Sequence, residues 1–176
     1  MSTLMNRFTD SNQASTEQYL TFSLGSETFA VGTSNVREII EYGRLTPIPM
    51  MPPSVLGVIN LRGGVVPIMD LCQRFGGGQT QIGRRSCIVI LEVERGQQRQ
   101  MMGIVVEAVN AVREIPPHDV EPAPDFGSHI RTDFIRGMGK IDGELVVLLD
   151  IGRVLSLEEM RWLAENSHNP ELGVAS

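Results

Sequence analysis

The chain has 176 residues, 41% of them hydrophobic, and a formal net charge of −6. That length suits one mid-sized domain or two small ones of about 70–80 residues. An acidic chain without a basic run is a poor binder of nucleic acid and of anionic membranes, and no apolar run approaches the roughly 18 residues of a spanning helix.

Residues 1–16 lack the apolar centre of a signal peptide and read as a polar, disordered arm. Tyr19 to Leu24 alternates, with Leu20, Phe22 and Leu24 on one side, and predicts a half-buried strand. Gly25-Ser26 is a hairpin turn, and Phe29 and Val31 continue in a second strand. Val36-Arg37-Glu38-Ile39-Ile40 is a third. Thr46 to Pro53 carries four prolines with Ile48, Met50 and Met51, an extended apolar loop.

Gly57 to Leu71 then reads as two apolar strands folded about Arg62-Gly63-Gly64, glycine supplying the positive φ that a tight hairpin demands. Asp70 follows as a helix N-cap for one or two turns that stop at Gly76. Gly76 to Thr80 is the candidate boundary between two units. Cys87 to Val93, Met101 to Val106 and Val109 to Ile115 are further strands, followed by a second Pro-rich loop from Pro116 to Pro124. Phe126 to Thr132 is irregular. Ile135 to Ile141 and Leu145 to Leu149 flank Asp142-Gly143, a strong hairpin signal. Ser156 and Glu159 form a capping box for a closing helix, after which residues 167–176 are a loose tail.

The chain repeats itself. Val36-Arg37-Glu38-Ile39 recurs as Val112-Arg113-Glu114-Ile115, and Gly57 to Leu71 aligns without gaps to Gly137 to Ile151. The same order of strand, Pro-rich loop, hairpin and aspartate makes duplication the reading. Each copy holds about five short strands and curls into a small barrel to hide its edges. The fold class is therefore mainly β: two five-stranded barrels, the first about 30–76 and the second about 86–152, with elements from both ends contributing. The groove between them is the natural binding site.

Catalytic chemistry is poorly supported. His118, His129 and His168 fall in loops or the tail, outside any metal-ligand spacing. Cys72 and Cys87 read as small core residues in a reducing compartment. Gly76-Gly77-Gly78 lacks the Gly-Lys-Ser/Thr of a phosphate loop. Arg62 differs, because its counterpart in the second copy is Asp142. It is either a solvated tip residue or the partner of a carboxylate, with Glu38 the nearest candidate. Val36 and Val112 are core residues, or line the groove if the copies face each other. Phe126 is either an exposed partner contact or the plug of a barrel end.

Val36-Arg37-Glu38-Ile39, Gly57 to Gly63, Val66 to Leu71, Gly103 to Glu107, and Pro122-Ala123-Pro124 leading to Phe126 together resemble the CheW family of chemotaxis coupling proteins, over about Glu17 to Glu165. The resemblance implies two SH3-like barrels with short helices, no catalysis and no cofactor or metal. It implies a cytoplasmic adaptor, recruited to membrane-associated arrays, that joins the cytoplasmic tip of methyl-accepting chemoreceptors to the regulatory domain of the histidine kinase CheA. On that basis Val36, Glu38, Gly57, Arg62, Val109 and Val112 lie at the receptor site. Ile39, Pro47, Met50, Met51 and Phe126 fall to the kinase contacts. Met50 and Met51 make the loop more apolar than the family pattern. The rivals are an adaptor of a related array with a pilus or other output, and a small ligand-binding barrel or enzyme with a pocket between the copies.

Overall fold

The computed structural model describes residues 16–95, 97–123 and 134–156. The predicted closing helix beyond Ser156, Phe126, His129 and His168 lie outside them.

Eleven described strands form two sheets. They are β1 (Glu17–Leu24), β2 (Glu27–Gly32), β3 (Val36–Glu41), β4 (Val55–Leu61), β5 (Gly64–Asp70), β6 (Cys87–Arg95), β7 (Gln98–Val106), β8 (Ala108–Ile115), β9 (Val120–Glu121), β10 (Ile135–Ile141) and β11 (Glu144–Leu149). Two four-residue helices follow matched hairpins: α1 (Leu71–Arg74) after β5 and α2 (Ile151–Val154) after β11. One sheet runs β3-β6-β7-β5-β4; the other runs β8-β1-β2-β11-β10-β9. Apart from the two-residue β9, each has the five strands expected of a barrel. The strands flanking Gly76–Thr80, β5 and β6, belong to one sheet, so the change of sheet falls between β2 and β3 and between β7 and β8.

Both faces of the inner strands are buried, which explains their nearly unbroken apolar runs. Val66, Ile68, Ile88, Ile90 and Val105 form the interior of the first barrel. Tyr19, Ala30, Ile115, Val146 and Leu148 form that of the second. Alternate residues of the same strands, among them Leu20, Phe22, Phe29, Val89, Leu91, Met102, Ile104 and Leu149, meet between the sheets in a third cluster. The expectation that β1 is half-buried therefore fails. Tyr19 and Thr21, opposite Leu20 and Phe22, are buried as well. Phe22, Phe29, Phe75 and Phe134 form a column through this layer with centroid spacings of 6.1, 5.6 and 6.0 Å. Arg74 caps it, 4.7 Å over Phe134, and donates Nε to the Val154 carbonyl at 2.9 Å.

The duplication holds at the level of single bonds. The β4–β5 and β10–β11 hairpins each skip one residue at the matched place, Val55/Gly57 and Ile135/Gly137. Asp70 N donates to Ser54 O at 2.7 Å, and Asp150 N to Phe134 O at 2.8 Å. Both aspartates cap the helix that follows. Asp70, only 2% exposed, does more. It accepts from Cys72 N and Gln73 N, and then from Thr80 N at 2.9 Å and Thr80 Oγ1 at 2.6 Å, clamping the glycine-rich loop.

Matched glycines 57 and 137 share a steric reason. A Cβ at Gly57 (φ +154) would strike the Thr46 carbonyl oxygen and stand 2.9 Å from its carbon; one at Gly137 would meet Glu121 O at 2.9 Å. In each copy a residue of the Pro-rich loop lies directly on the hairpin, as the Thr46–Val58 and Met138–Glu121 pairings show.

Two stability outcomes follow. Asp70→Ala should cost about 3 kcal/mol and Asp150→Ala about 1. Gly57→Ala should cost at least about 2 kcal/mol, while Gly64→Ala stays within about 0.5. Urea unfolding midpoints of the four variants check both.

Candidate protein-interaction sites

The seam where each barrel's end strands approach carries the residues of interest. In the first barrel β3 and β4 are the two ends of the sheet. Arg62, at the β4–β5 turn, crosses this seam: Nη2 donates to Glu38 Oε1 at 2.7 Å and stands 2.6 Å from Oε2. The expected Arg62–Glu38 pair is therefore present. Its setting differs from the sequence reading in one respect. Gly63 supplies the expected positive φ, at 85, but Arg62 before it has a positive φ as well, at 50. The second-copy turn is the same, with Asp142 at φ 52 and Gly143 at φ 82. Aspartate tolerates that region; arginine is strained in it by about 1–2 kcal/mol. Arg62 is 69% exposed at its side chain, so its ion pair returns no more than about 1 kcal/mol. An arginine here does not serve the fold.

The second barrel has the mirror arrangement, which the sequence reading missed. Asp142 accepts from Arg113 Nη2 at 3.0 Å, joining the β10–β11 tip to β8. Both tips thus grip their copy of Val-Arg-Glu-Ile, but with the charges exchanged: arginine to glutamate in one, aspartate to arginine in the other. The signal was in the alignment, since Asp142 and Arg113 both sit in repeated segments.

Val36 and Val109 are half-buried and pack against the central cluster from β3 and β8. Val112 points away from it and is 53% exposed. Beside these residues the meeting face of the sheets is filled, so they mark its rim. Gly57 is buried beneath Thr46 and Pro47; it shapes the loop above it and offers no side chain.

Among the other candidates, Ile39 is 43% exposed and Met50 67%. Met50 is the third non-glycine residue with positive φ, at 64, on the tip of the Pro-rich loop. Pro47 is exposed and seats against Gly57, whereas Met51 turns inward onto the central cluster. The loop is held at Thr46 and Met51 and presents Met50 between them.

The catalytic candidates stay apart from this surface in character. Burial pushes the Cys72 thiol up, the Thr80 hydrogen bond opposes that, and the Asp70, Glu107 and Glu27 carboxylates add to it. It is the wrong direction for a nucleophile at neutral pH. Cys87 Sγ donates to Arg85 O at 3.3 Å, and His118 lies on an exposed turn beside Asp119. Among the described residues no group of three or more His, Cys, Asp or Glu is placed to hold a metal ion, and no helix is long and apolar enough to cross a membrane.

Residues 18–159 match the family model described as CheW-like domain. The chain is 33% identical to chemotaxis protein CheW of Klebsiella aerogenes over 144 residues, covering 82% of this chain and 84% of that protein. It is 34% identical to chemotaxis protein CheW of Rhizobium meliloti over 142 residues, covering 81% and 89%. Protein FrzA of Myxococcus xanthus is 30% identical over 150 residues, 84% and 91%. Among solved structures, scaffolding protein TtCheW from Thermoanaerobacter tengcongensis superposes with a TM-score of 0.72 at 31% identity, over 80% of this chain and 88% of that one.

The strain at the tip is directly measurable. Arg62→Asn removes the ion pair but suits the left-handed turn. It should leave urea stability unchanged or raise it by up to about 1 kcal/mol; a loss of stability would show that the pair supports the fold after all.

Proposed function

The chain belongs to the CheW-like family, and we infer that it is a chemosensory coupling adaptor, which joins receptors to a CheA-type histidine kinase without catalysing a reaction of its own. The observation that carries this reading is Arg62: a strained, exposed arginine on a repeated hairpin whose twin keeps the turn and reverses the charge. Strain held at an exposed residue points to use by a partner.

The receptor's cytoplasmic tip is assigned to the rim formed by Val36, Val109 and Val112 together with the Glu38–Arg62 pair. Gly57 acts there through the backbone, by letting the Thr46–Pro47 segment lie on β4. The kinase's regulatory domain is assigned to the first barrel, at Ile39 and at the Pro-rich loop through Pro47 and Met50, with Met51 as the loop's anchor. Phe126 is retained as a second kinase contact. Gly57 and Pro47 touch, so the two surfaces are contiguous. A shift in how the receptor seats on the rim would then be felt by the loop.

Coupling of this kind requires that the adaptor contact the kinase differently in its two activity states. A packed layer between the barrels suits the task, because it moves as one body and transmits a tilt rather than absorbing it. The working place implied is the cytoplasmic face of a receptor array. A second reading, an adaptor of a related array with another output, is compatible with the similarity to FrzA.

Pull-down of the full chain with a receptor cytoplasmic fragment and with a kinase regulatory domain tests the assignment. Binding to both is expected, and binding to neither overturns it. Arg62→Ala and Val36→Asp should retain the fold by circular dichroism yet lower receptor-controlled kinase activity at least about tenfold, a change of about 1.4 kcal/mol in coupling. Full control by either variant removes that residue from the site.

A further inference from the structure

A cleft of about 500 Å³ opens between the two sheets, away from the barrel tips. Its walls come from β2 and the turn after it, from β6 and β7, and from β10, β11 and the start of α2. Arg37, Arg99 and Arg136 converge on it from three strands, with Glu92, Glu94 and Asp150.

Two of these arginines reach the cleft by the same device. The β3–β6 register slips between Val36 and Glu38, leaving Arg37 as the extra residue. The β10–β11 register slips between Ile135 and Gly137, leaving Arg136 as the extra residue. A bulge re-aims the side chain it carries. Neither arrangement is a requirement of the repeat. The first-copy counterpart of Arg136 is Leu56, which packs on the first barrel's interior. The second-copy counterpart of Arg37 is Arg113, whose strand keeps its register there and which turns to Asp142.

The ion pairs inside the cleft leave donors over. Glu92 takes Arg37 Nε on Oε1 and Arg99 Nη1 on Oε2, at 3.1 Å for the latter, so both of its oxygens are engaged. Those bonds, the Arg37 one foremost, hold its carboxyl below the usual range. Glu94 is 73% exposed at its side chain and only 3.8 Å from Arg99 Nε. Asp150 Oδ1 is engaged by Arg153 N at 3.3 Å. Arg136 gives Nη2 to Glu17 at 3.1 Å. Arg37 gives Nε to Glu92, its one acceptor residue among the described residues. Unused guanidinium N–H groups facing one cleft from two sheets match the lone pairs of an oxyanion.

We propose that this cleft binds a small organic anion through a phosphate or carboxylate group held between Arg37 and Arg136, with Arg99 fixing Glu92 out of the way. The site adjoins the assigned receptor rim along β3 but shares no residue with the receptor and kinase surfaces and does not depend on them. Its ligand touches both sheets and so braces one barrel against the other.

The test is calorimetric titration of the full chain with inorganic pyrophosphate and, in parallel, with citrate. Saturable binding with a dissociation constant of about 1 mM or tighter is expected for at least one of them. Pyrophosphate alone identifies a phosphate group as the ligand chemistry, citrate alone a carboxylate, and both a general oxyanion site. Arg37→Gln and Arg136→Gln should each weaken that binding about tenfold or more, while Arg113→Gln, the copy of Arg37 in the repeat, leaves it unchanged. Unfolding midpoints of all three variants separate lost binding from lost fold. No saturable binding of either anion, an Arg136→Gln variant that binds as the parent does, or an equal loss in Arg113→Gln overturns the proposal.

Discussion

The apolar layer between the two sheets is the constraint from which the rest of the molecule follows. Each sheet must bury two faces, one toward its own barrel and one toward its partner. The inner strands can therefore spare few polar positions: Val89 and Leu91 serve the shared layer while Ile88 and Ile90, between them, fill the first barrel. Polar chemistry is pushed to places these strands do not control, namely hairpin tips, edge strands, bulges and loops. Every residue assigned a role above lies in such a place or braces one. The aromatic column from Phe22 to Phe134, closed by Arg74, ties the layer across both sheets.

Duplication gave the two barrels one scaffold, and their differences mark where each copy has been altered. The bulges in the β4–β5 and β10–β11 hairpins, the capping aspartates and the steric glycines are common to both. The tip charges are not. Glu38–Arg62 and Arg113–Asp142 occupy equivalent seams of the two barrels with opposite sense, so the barrels carry tips of opposite sign on one backbone geometry.

Local chemistry was legible in the sequence wherever it depended on neighbours in the chain. The Asp142-Gly143 turn, the Asp70 cap and the strand at Cys87 to Val93 all rest on short-range rules, and the structure has them. The Arg62–Glu38 pair was legible for another reason: a repeat supplies its own control, and the twin without arginine made the arginine conspicuous. The reciprocal Arg113–Asp142 pair was equally available but hidden by reading Asp-Gly as a turn signal alone. Properties set by distant residues were not legible. Nothing near Tyr19 and Thr21 announces that their face is covered by the second barrel's interior. The Asp70–Thr80 clamp spans a glycine-rich stretch that reads as a linker because glycine says nothing about its neighbours. That β6 and β7 join β4 and β5 is decided by the parallel pairing of β5 with β7, which leaves no local mark.

That division of strands between the sheets also sets the order in which the chain can be assembled. Everything in the sheet of β3 to β7 is contiguous, so it can close as soon as β7 leaves the ribosome. The β1–β2 hairpin belongs to the other sheet. Thr21 finds Ala111 across a separation of 90 residues, and Phe29 finds Val147 on β11 near the far end. Long-range closure is entropically slow, and during that wait the apolar residues of β1 and β2 have only the finished first barrel to lie against. The face that later becomes the shared layer is thus the apolar surface within the chain's reach of the earliest strands until their own partners are made.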